Sequence, residues 1–244
     1  MPTLTRLPLP LAGLAAIACA LLLTATPAAA QRYQFGGGTG QQHVPGKFDY
    51  YQLVLSWSPT HCAENSRGPD DTQCGVRRER PYGFIVHGLW PQYENRGWPE
   101  FCSTRGRPYV PDAIIKHMMD VMPSRGLIIH QYKKHGTCTG MNPETYFKAT
   151  RIAFRNVKIP NEFQAPNQDM LMTPRELVNK FVSINPTMKA DAIQLICKRG
   201  NANRLKEVKV CMTRKGRFRA CQPGSAPRHR CAAKKMHIPR ARGG

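Results

Sequence analysis

Apolar residues of the chain fall into short blocks that polar, Pro-rich and Gly-rich stretches separate. The first block of the main part, 48–57, combines aromatic and branched side chains and predicts a β-strand. The next block, 82–89, predicts a second strand that Pro91 closes, and the polar residues 58–81 between the two predict a loop. A Pro- and Gly-rich loop over 91–111 follows.

Apolar residues spaced three and four apart predict helices in the middle of the chain. The predicted helices cover 112–122, 127–139, a segment that starts at Asn142-Pro143, and a segment of roughly 174–183. The last one begins with Thr173-Pro174-Arg175-Glu176, in which Thr and Glu form a capping box and Pro takes the first helical position.

Three further blocks near the C-terminus predict strands over 192–197, 205–212 and 217–221. Strands and helices follow one another irregularly, and the sequence contains no visible internal repeat. This order predicts one α+β domain rather than a doubly wound parallel sheet.

The first 30 residues have the pattern of a secretory signal peptide. Arg6 precedes an apolar run over 9–23, and Ala28-Ala29-Ala30 supplies the small residues of a cleavage site. Residues 31–46 are Gly-rich and predict a flexible lead-in. No later stretch approaches the roughly 18 apolar residues of a membrane helix. We therefore expect an exported protein without stable membrane insertion, located in the periplasm or outside the cell.

The chain has nine cysteines, of which Cys19 lies in the predicted signal peptide. An even number remains, and in an exported chain that indicates four disulfides. Their number alone leaves many pairings open. None forms a C-x-x-C pair, and the wide spacings argue against a zinc finger or ribbon.

The chain is strongly basic, with 36 Lys and Arg against 15 Asp and Glu and a formal net charge of +21. Residues 198–244 hold 15 of the basic residues and a single acid, Glu207. This concentration is typical of a surface for a polyanion, and equally of a solvated face with a basic tail. Residues 232–244 are expected to form a basic, disordered tail.

A histidine at the end of a predicted strand is the first candidate for chemistry. His87 lies in the segment FIVHGLWP, 84–91, and the Gly that follows it leaves room for a ligand. Taken alone, His87 is better explained as an ordinary packed histidine of the core.

A second candidate cluster lies in the segment HQYKKHGTC, 130–138. On a helix, positions i, i+1, i+4 and i+5 share one face, which here carries His130, Gln131, Lys134 and His135. Two imidazoles, an amide and an ammonium suit an anion better than a metal, and the spacing of the two histidines differs from that of a zinc-binding helix. An ordinary polar helix face is the alternative. The other histidines are expected to be solvated or packed: His43, His61, His117, His229 and His237.

Together, the two segments resemble the two active-site segments of the ribonuclease T2 family, the secreted acid endoribonucleases. The first segment is similar to the family's F-x-x-H-G-L-W-P and the second to its H-E-x-x-K-H-G-T-C. The predicted strand 48–57, with Pro59, Thr60 and Cys62 after it, resembles the family's opening strand. The resemblance covers 47–231 and implies one disulfide-linked catalytic domain, with a central, mainly antiparallel sheet flanked by helices.

The resemblance implies an endoribonuclease that cleaves single-stranded RNA without a metal or another cofactor. A base removes the 2′-OH proton, the oxygen attacks phosphorus, and an acid protonates the leaving 5′-oxygen, which yields a 2′,3′-cyclic phosphate and then a 3′-phosphate. Two imidazoles suit this reaction because each can act as base or acid near neutral pH. DNA is not expected as a substrate, and the protein is expected to be a monomer.

The family's roles transfer by resemblance to individual residues. His135 matches the general base, and His87 matches the general acid. His130 matches a phosphate-binding histidine, and Lys134 matches the lysine that stabilises the pentacovalent state. Trp90 matches an aromatic residue that stacks on a base.

Two positions depart from the family pattern. Gln131 stands where the family motif has Glu, and an amide can still donate a hydrogen bond or orient His135 but carries no charge. Loss of the carboxylate is expected to lower the pKa of His135 and to change the rate or its pH dependence. Gln92 stands where some relatives have an Asp that contacts the base, which leaves base preference open.

The expected disulfides also follow from the resemblance. They are Cys62–Cys74, Cys102–Cys138, Cys197–Cys231 and Cys211–Cys221. A Cys102–Cys138 bridge would join the second catalytic segment to the loop after the first catalytic strand and hold the two halves of the site in register.

Three hypotheses of different classes remain. The first is a metal-independent RNA endonuclease, and the second is a catalytically weak RNA-binding relative, motivated by Gln131. Intact His87, His130, Lys134 and His135 count against the second. The third is a cationic protein that binds membrane surfaces, but the basic C-terminal segments contain Gly and Pro instead of an amphipathic helix.

Overall fold

The computed structural model describes residues 43–65, 68, 71–76, 80–95, 97–198, 203–223, 231 and 234–241. The predicted signal peptide and residues 31–42 of the predicted lead-in lie outside the described residues. The strands are β1 (Tyr50–Trp57), β2 (Phe84–Gln92), β3 (Met170–Met172), β4 (Ile193–Cys197), β5 (Leu205–Thr213) and β6 (Met236–Ile238). The α-helices are α1 (Ser58–Asn65), α2 (Asp112–Met118), α3 (Arg125–Gln131), α4 (Pro143–Asn156) and α5 (Pro174–Ile184).

Four strands form one antiparallel sheet in the order β2-β1-β5-β4, and β3 pairs with β6 in a second, two-stranded antiparallel sheet. β1 lies in the middle of the larger sheet, with Leu53 opposite Leu89 of β2 and Val210 of β5. Every residue of β1 is buried, which explains its nearly continuous run of apolar side chains. The predicted α+β class with a mainly antiparallel sheet is confirmed.

An aromatic cluster joins the larger sheet to α5. The ring of Phe84 lies 4.7 Å from that of Trp57 and 6.0 Å from that of Phe181, which in turn stacks on Phe163 at 6.1 Å between centroids. Burial of each such side chain stabilises the fold by about 1.5–3 kcal/mol. The capping box predicted at Thr173 is present, so α5 begins where its sequence predicts.

Helix α4 fixes the strand that carries His87. Asn142 caps its N-terminus by accepting a hydrogen bond from the backbone N–H of Thr145, and Pro143 follows at the first helical position. The buried Tyr146 O–H of this helix donates to the carbonyl of Leu89 at 3.0 Å. The helix therefore holds β2 by a side-chain hydrogen bond two residues after His87.

Three predictions of local structure are wrong. Residues 58–65 form α1 instead of a loop, and 217–221 contribute only an isolated bridge between Phe218 and Met212 instead of a strand. The predicted disordered tail contains β6, whose Met236 and Ile238 are 0% exposed. β6 is only three residues long and follows two lysines, so its apolar alternation is too brief to predict a strand.

The four disulfides expected from the family resemblance are present: Cys62–Cys74, Cys102–Cys138, Cys197–Cys231 and Cys211–Cys221. Because the Cys102–Cys138 bridge joins the loop after β2 to the segment after α3, it ties together the two regions that carry the candidate histidines. Within the described residues, no helix has both the length and the apolar character needed to cross a membrane.

Candidate active site

His87 occupies an irregular position in β2. The pairing of β2 with β1 shifts register between Val54 and Leu55, whose partners are Gly88 and Val86, so His87 has no partner in β1. Bulges of this kind redirect a side chain and occur next to active sites. The bulge therefore gives the imidazole a direction that regular alternation along the strand would not.

The second candidate segment is not a regular helix. α3 ends at Gln131 and continues as a π-helical turn over Tyr132–Gly136, followed by a 3-10 turn over Thr137–Thr139. A Cβ at Gly136 would lie 2.4 Å from the ring of Tyr132, so this close contact requires glycine at position 136. Single π-helical turns of this kind are frequent at functional sites, and this one contains Lys134 and His135.

Trp90 links the two segments. Its indole stacks on the His135 imidazole, with centroids 4.8 Å apart and planes at 19°, and its Nε1–H donates to Gln131 Oε1 at 2.7 Å. A Cβ at Gly88 would lie 2.2 Å from Gln131 Oε1 and 2.6 Å from Trp90 Nε1. Glycine at 88 is therefore a requirement of this contact, and Trp90 orients His135 in addition to the base-stacking role expected for it.

The surroundings of His135 favour its neutral form. The side chain is 3% exposed, and its Nδ1 is buried without a hydrogen-bond partner. Burial holds the pKa of His135 well below its ordinary value, and the positive charges of Lys134, His87, His130 and Lys209 lower it further. A neutral imidazole retains a lone pair that can accept a proton, even in mildly acidic solution.

His87, unlike His135, lies beside an acidic side chain. Its Nδ1 lies 2.9 Å from Oε1 of Glu207 on β5, which means that the two side chains meet across β1. Glu207 is 7% exposed. Burial raises the pKa of this carboxyl, but the hydrogen bond with His87 and the charges of His87, Lys209 and Lys206 outweigh burial and hold the pKa below its ordinary value. A carboxylate at this position can accept a charge-assisted hydrogen bond from the imidazole.

Lys209 completes this cluster. Its side chain is 5% exposed, and its Nζ lies 3.9 Å from Glu207 Oε2 and 4.7 Å from the centre of the Trp90 ring. Burial lowers the pKa of Lys209, while Glu207 opposes that shift. Neither Glu207 nor Lys209 was among the residues predicted to belong to the site.

His130 and Lys134 precede His135 in the sequence and carry hydrogen-bond donors. Lys134 Nζ lies 3.2 Å from Glu100 Oε2, and about a third of its side chain is exposed. Burial lowers the pKa of His130, and the nearby charges of Lys134, His87 and Lys133 lower it further. This arrangement offers an anion one ammonium and one imidazole from adjacent helical turns.

A cleft of about 630 Å³ opens beside His87 and His130. His61 of α1 also lines it, and burial followed by the charge of His87 lowers the pKa of His61. The remaining lining residues are Ser56, Asn65, Asp71, Gln73, Ile85, Ser124, Gly126 and Leu127. His61 was expected to be a solvated or packed histidine. It lies on α1, which formed where a loop was predicted, and this helix brings it to the cleft.

Gln92, expected to contact a base, is 1% exposed and donates through Nε2 to the carbonyl of Pro91 at 2.9 Å. The structure thus brings His87, Trp90, His130, Gln131, Lys134 and His135 together and keeps Gln92 inside the sheet. Across the described part of the chain, no group of three or more His, Cys, Asp or Glu side chains is arranged to hold a metal ion.

Proteins of similar sequence include several ribonucleases. A ribonuclease of Aeromonas hydrophila is 43% identical over 101 residues, which are 41% of this chain and 42% of that protein. A probable ribonuclease of Haemophilus influenzae is 32% identical over 132 residues, 50% of this chain and 47% of that protein. Ribonuclease I of Escherichia coli K12 is 27% identical over 202 residues, 68% of this chain and 75% of that protein. The chain therefore spans less than half the length of the first two relatives.

Solved structures share the fold. The RNase-related protein from Calystegia sepium superposes with a TM-score of 0.60 at 20% identity, over 80% of this chain and 98% of that protein. RNase NT in complex with 5′-AMP superposes with a TM-score of 0.53 at 20% identity, over 79% of this chain and 98% of that protein. The sequence profile of the Ribonuclease T2 family matches residues 48–221, which are most of the chain. The chain therefore belongs to the ribonuclease T2 family.

Proposed function

We propose that this protein is a metal-independent endoribonuclease that cleaves single-stranded RNA through a 2′,3′-cyclic phosphate. One observation carries the proposal: two imidazoles of one site have opposite surroundings. His87 bonds to a buried carboxylate, whereas His135 is buried among positive charges. When the environments of two titratable groups differ in this way, the acid and base roles can be assigned to them.

In the first step His135 is the general base and His87 the general acid. His135 accepts the 2′-OH proton while O2′ forms a bond to phosphorus. The bond between phosphorus and O5′ breaks, and protonated His87 gives its proton to O5′. Glu207 stabilises the charge of His87 before the transfer, and burial keeps His135 free of a proton, so both groups start in the form that the step requires.

The second step reverses the roles. His87, now neutral, takes a proton from water as the water oxygen attacks phosphorus of the cyclic phosphate. The bond between phosphorus and O2′ breaks, and His135 returns its proton to O2′, which leaves a 3′-phosphate. The two histidines thereby regain their starting protonation states, with no net consumption of acid or base.

Three neighbours assist both steps. Lys134 and His130 donate to the phosphate oxygens and stabilise the negative charge that develops on phosphorus in the transition state. Gln131 holds Trp90 by its carbonyl, and Trp90 in turn holds the plane of His135. Lys134 exchanges its contact with Glu100 for the phosphate when RNA binds.

The substrate class follows from chemistry and charge. Only RNA has the 2′-OH that His135 would deprotonate, so DNA is not a substrate. The cleft lined by His61, His87 and His130 offers polar groups for one unpaired nucleoside and apolar walls from Ile85 and Leu127. RNase NT was solved with 5′-AMP, which supports nucleotide binding by this fold. The net charge of +21 attracts the polyanion.

Location and assembly complete the proposal. Four disulfides are typical of an oxidising compartment, so we place the protein in the periplasm or outside the cell. Both histidines of the proposed site come from a single chain, so one chain is sufficient for the reaction and we propose that the protein acts as a monomer.

The catalytically weak RNA-binding relative is the second candidate. Gln131 supports it, since this amide replaces the only carboxylate in the family's second motif and uses its carbonyl to hold Trp90. Both candidates bind RNA, and they differ in whether RNA is cut.

The deciding experiment offers single-stranded RNA and DNA of the same sequence to the mature protein in EDTA, from about pH 4 to 8. We expect RNA products that end in 2′,3′-cyclic phosphate and 3′-phosphate, with the DNA intact. RNA binding that weakens with salt, but without cleavage at any pH, would leave the second candidate.

Restoring the carboxylate by Gln131→Glu tests the pH dependence. A negative charge beside His135 raises the pKa of the imidazole, so the base becomes protonated at higher pH and loses activity sooner as pH falls. We expect the acid limb of kcat/KM to move upward by about one pH unit. Gln131→Met, which removes the polar atoms and keeps the length, should leave that limb near its original position. An unchanged limb in Gln131→Glu would contradict this account of His135.

A further inference from the structure

Phe101 has an unusual backbone conformation for a large residue. Its φ is +49°, in the left-handed region that bulky side chains rarely adopt. The backbone is held there from two directions. The Phe101 N–H donates to the carbonyl of Lys134 at 2.8 Å, and the next residue, Cys102, is joined to Cys138 by a disulfide.

Burial does not explain this strain, because the side chain of Phe101 is 58% exposed. An apolar ring on the surface gains little from its position, and a glycine would adopt the same backbone angle without cost. Strained residues that the surrounding fold holds in place are concentrated at functional sites, where the conformation serves to present a side chain.

The ring stands beside the two residues proposed to hold the phosphate. Its centroid lies 6.2 Å from that of His130, with the planes at 75°, and Lys134 Nζ lies 5.7 Å from the ring centre. His130 also lines the cleft that would take one nucleoside. Phe101 and the cleft are therefore two neighbours of one phosphate-binding histidine.

We propose that Phe101 is a binding residue for RNA, a stacking surface for the base of the nucleotide next to the one held in the cleft. Stacking fits an exposed ring because every base has an aromatic face, and the adjacent Lys134 and His130 would hold the phosphate between the two nucleotides. This inference rests on the proposed function and assigns to it one further stacking residue, which would tolerate any base.

The test asks whether removing the Phe101 ring and removing one base of the RNA have additive effects on cleavage. Short RNAs of one sequence are made with a normal base or with an abasic ribose on either side of the cleavage point. For the unaltered protein we expect loss of one of these two bases to lower kcat/KM by about tenfold. In Phe101→Gly the same abasic change should have almost no further effect, since groups in contact do not contribute additively.

Two controls separate binding from a structural role. Tyr109 lies in the same loop and is 68% exposed, so Tyr109→Ala serves as a matched loss of a surface aromatic ring. In this variant the abasic change should lower kcat/KM as much as it does in the unaltered protein. Phe101→Gly should have an unchanged or higher Tm, because glycine relieves the positive φ. A lower Tm together with an undiminished abasic effect at both positions in Phe101→Gly would assign Phe101 a structural role and overturn the proposal.

The same comparison by equilibrium binding uses RNA with a 2′-deoxyribose at the cleavage point, which cannot be cut. Absence of cleavage in every RNA would refute the proposed function, whereas binding would still report on Phe101. If neither abasic position couples to Phe101 in cleavage or in binding, the stacking proposal is wrong even though the enzyme is active.

Discussion

His135→Ala is expected to lower kcat for RNA cleavage by about 10²–10⁴-fold, and His87→Ala by a similar factor. His135→Ala removes the group that accepts the 2′-OH proton, and His87→Ala removes the group that protonates O5′. Single-turnover cleavage of a short RNA measures the chemical step directly. Because burial keeps the pKa of His135 low, the unaltered protein should lose activity as pH falls through that pKa, and His135→Ala should lack this acid limb.

His117 provides the matched control for both histidine variants. It is exposed on α2, and the hydrogen bond described for it is made by its backbone carbonyl, which accepts from Arg151, so His117→Ala should keep the full rate and pH profile. RNA binding should persist in His135→Ala, since Lys134 and His130 remain. A His135→Ala variant that cuts RNA within about threefold of the unaltered rate would exclude this histidine as the general base.

Glu207→Ala is expected to lower the free energy of unfolding by about 3–5 kcal/mol, in addition to reducing kcat. Glu207 and Lys209 are 7% and 5% exposed, so loss of the carboxylate leaves a buried ammonium and the His87 Nδ1 without a partner. Urea denaturation measures the stability loss. The double variant Glu207→Ala, Lys209→Met should recover much of the stability, because it removes the unpaired charge. It should recover none of the activity.

Glu94 is the matched control for Glu207. It pairs with Arg219 at 2.7 Å, but the pair lies on the surface, where such pairs contribute no more than about 1 kcal/mol. Glu207→Gln keeps the shape of the side chain and a hydrogen-bond acceptor. The variant protein should therefore keep most of its free energy of unfolding, while its kcat falls. Equal stability losses in Glu94→Ala and Glu207→Ala, or full activity in Glu207→Ala, would contradict the role of the buried carboxylate.

Local sequence patterns predicted those strands and helices whose own residues show a clear apolar run or a capping motif. β1 was recognisable because both of its faces are buried and its residues are almost all apolar, and α5 because Thr173 and Glu176 form a capping box. The histidine motifs identified the family, which the profile match over 48–221 confirms. The four disulfide pairings followed from that resemblance rather than from the cysteine spacing.

Other features depend on contacts between distant parts of the chain. β6 pairs with β3 about 65 residues earlier, and three residues are too few for a pattern to predict a strand. The π-helical turn holds Gly136 directly against Tyr132, a contact that periodicity does not reveal. His61 has an ordinary sequence context, and only the position of α1 in the fold shows that it lines the cleft.

The sequence by itself determined the α+β class, the central strand, the two histidine motifs and the excess of basic charge, because each of these is a property of neighbouring residues or of their sum. Only the tertiary structure decided what surrounds each imidazole. Glu207 is the single acid among residues 198–244, yet nothing in the sequence relates it to His87. The bulge in β2 and the order of the strands bring the two together across β1, while the burial of His135 depends on packing from β2. Proton affinity depends on burial and on charges close in space, so the physical reason for the proposed acid and base roles, which the family resemblance had suggested, is visible only in the fold.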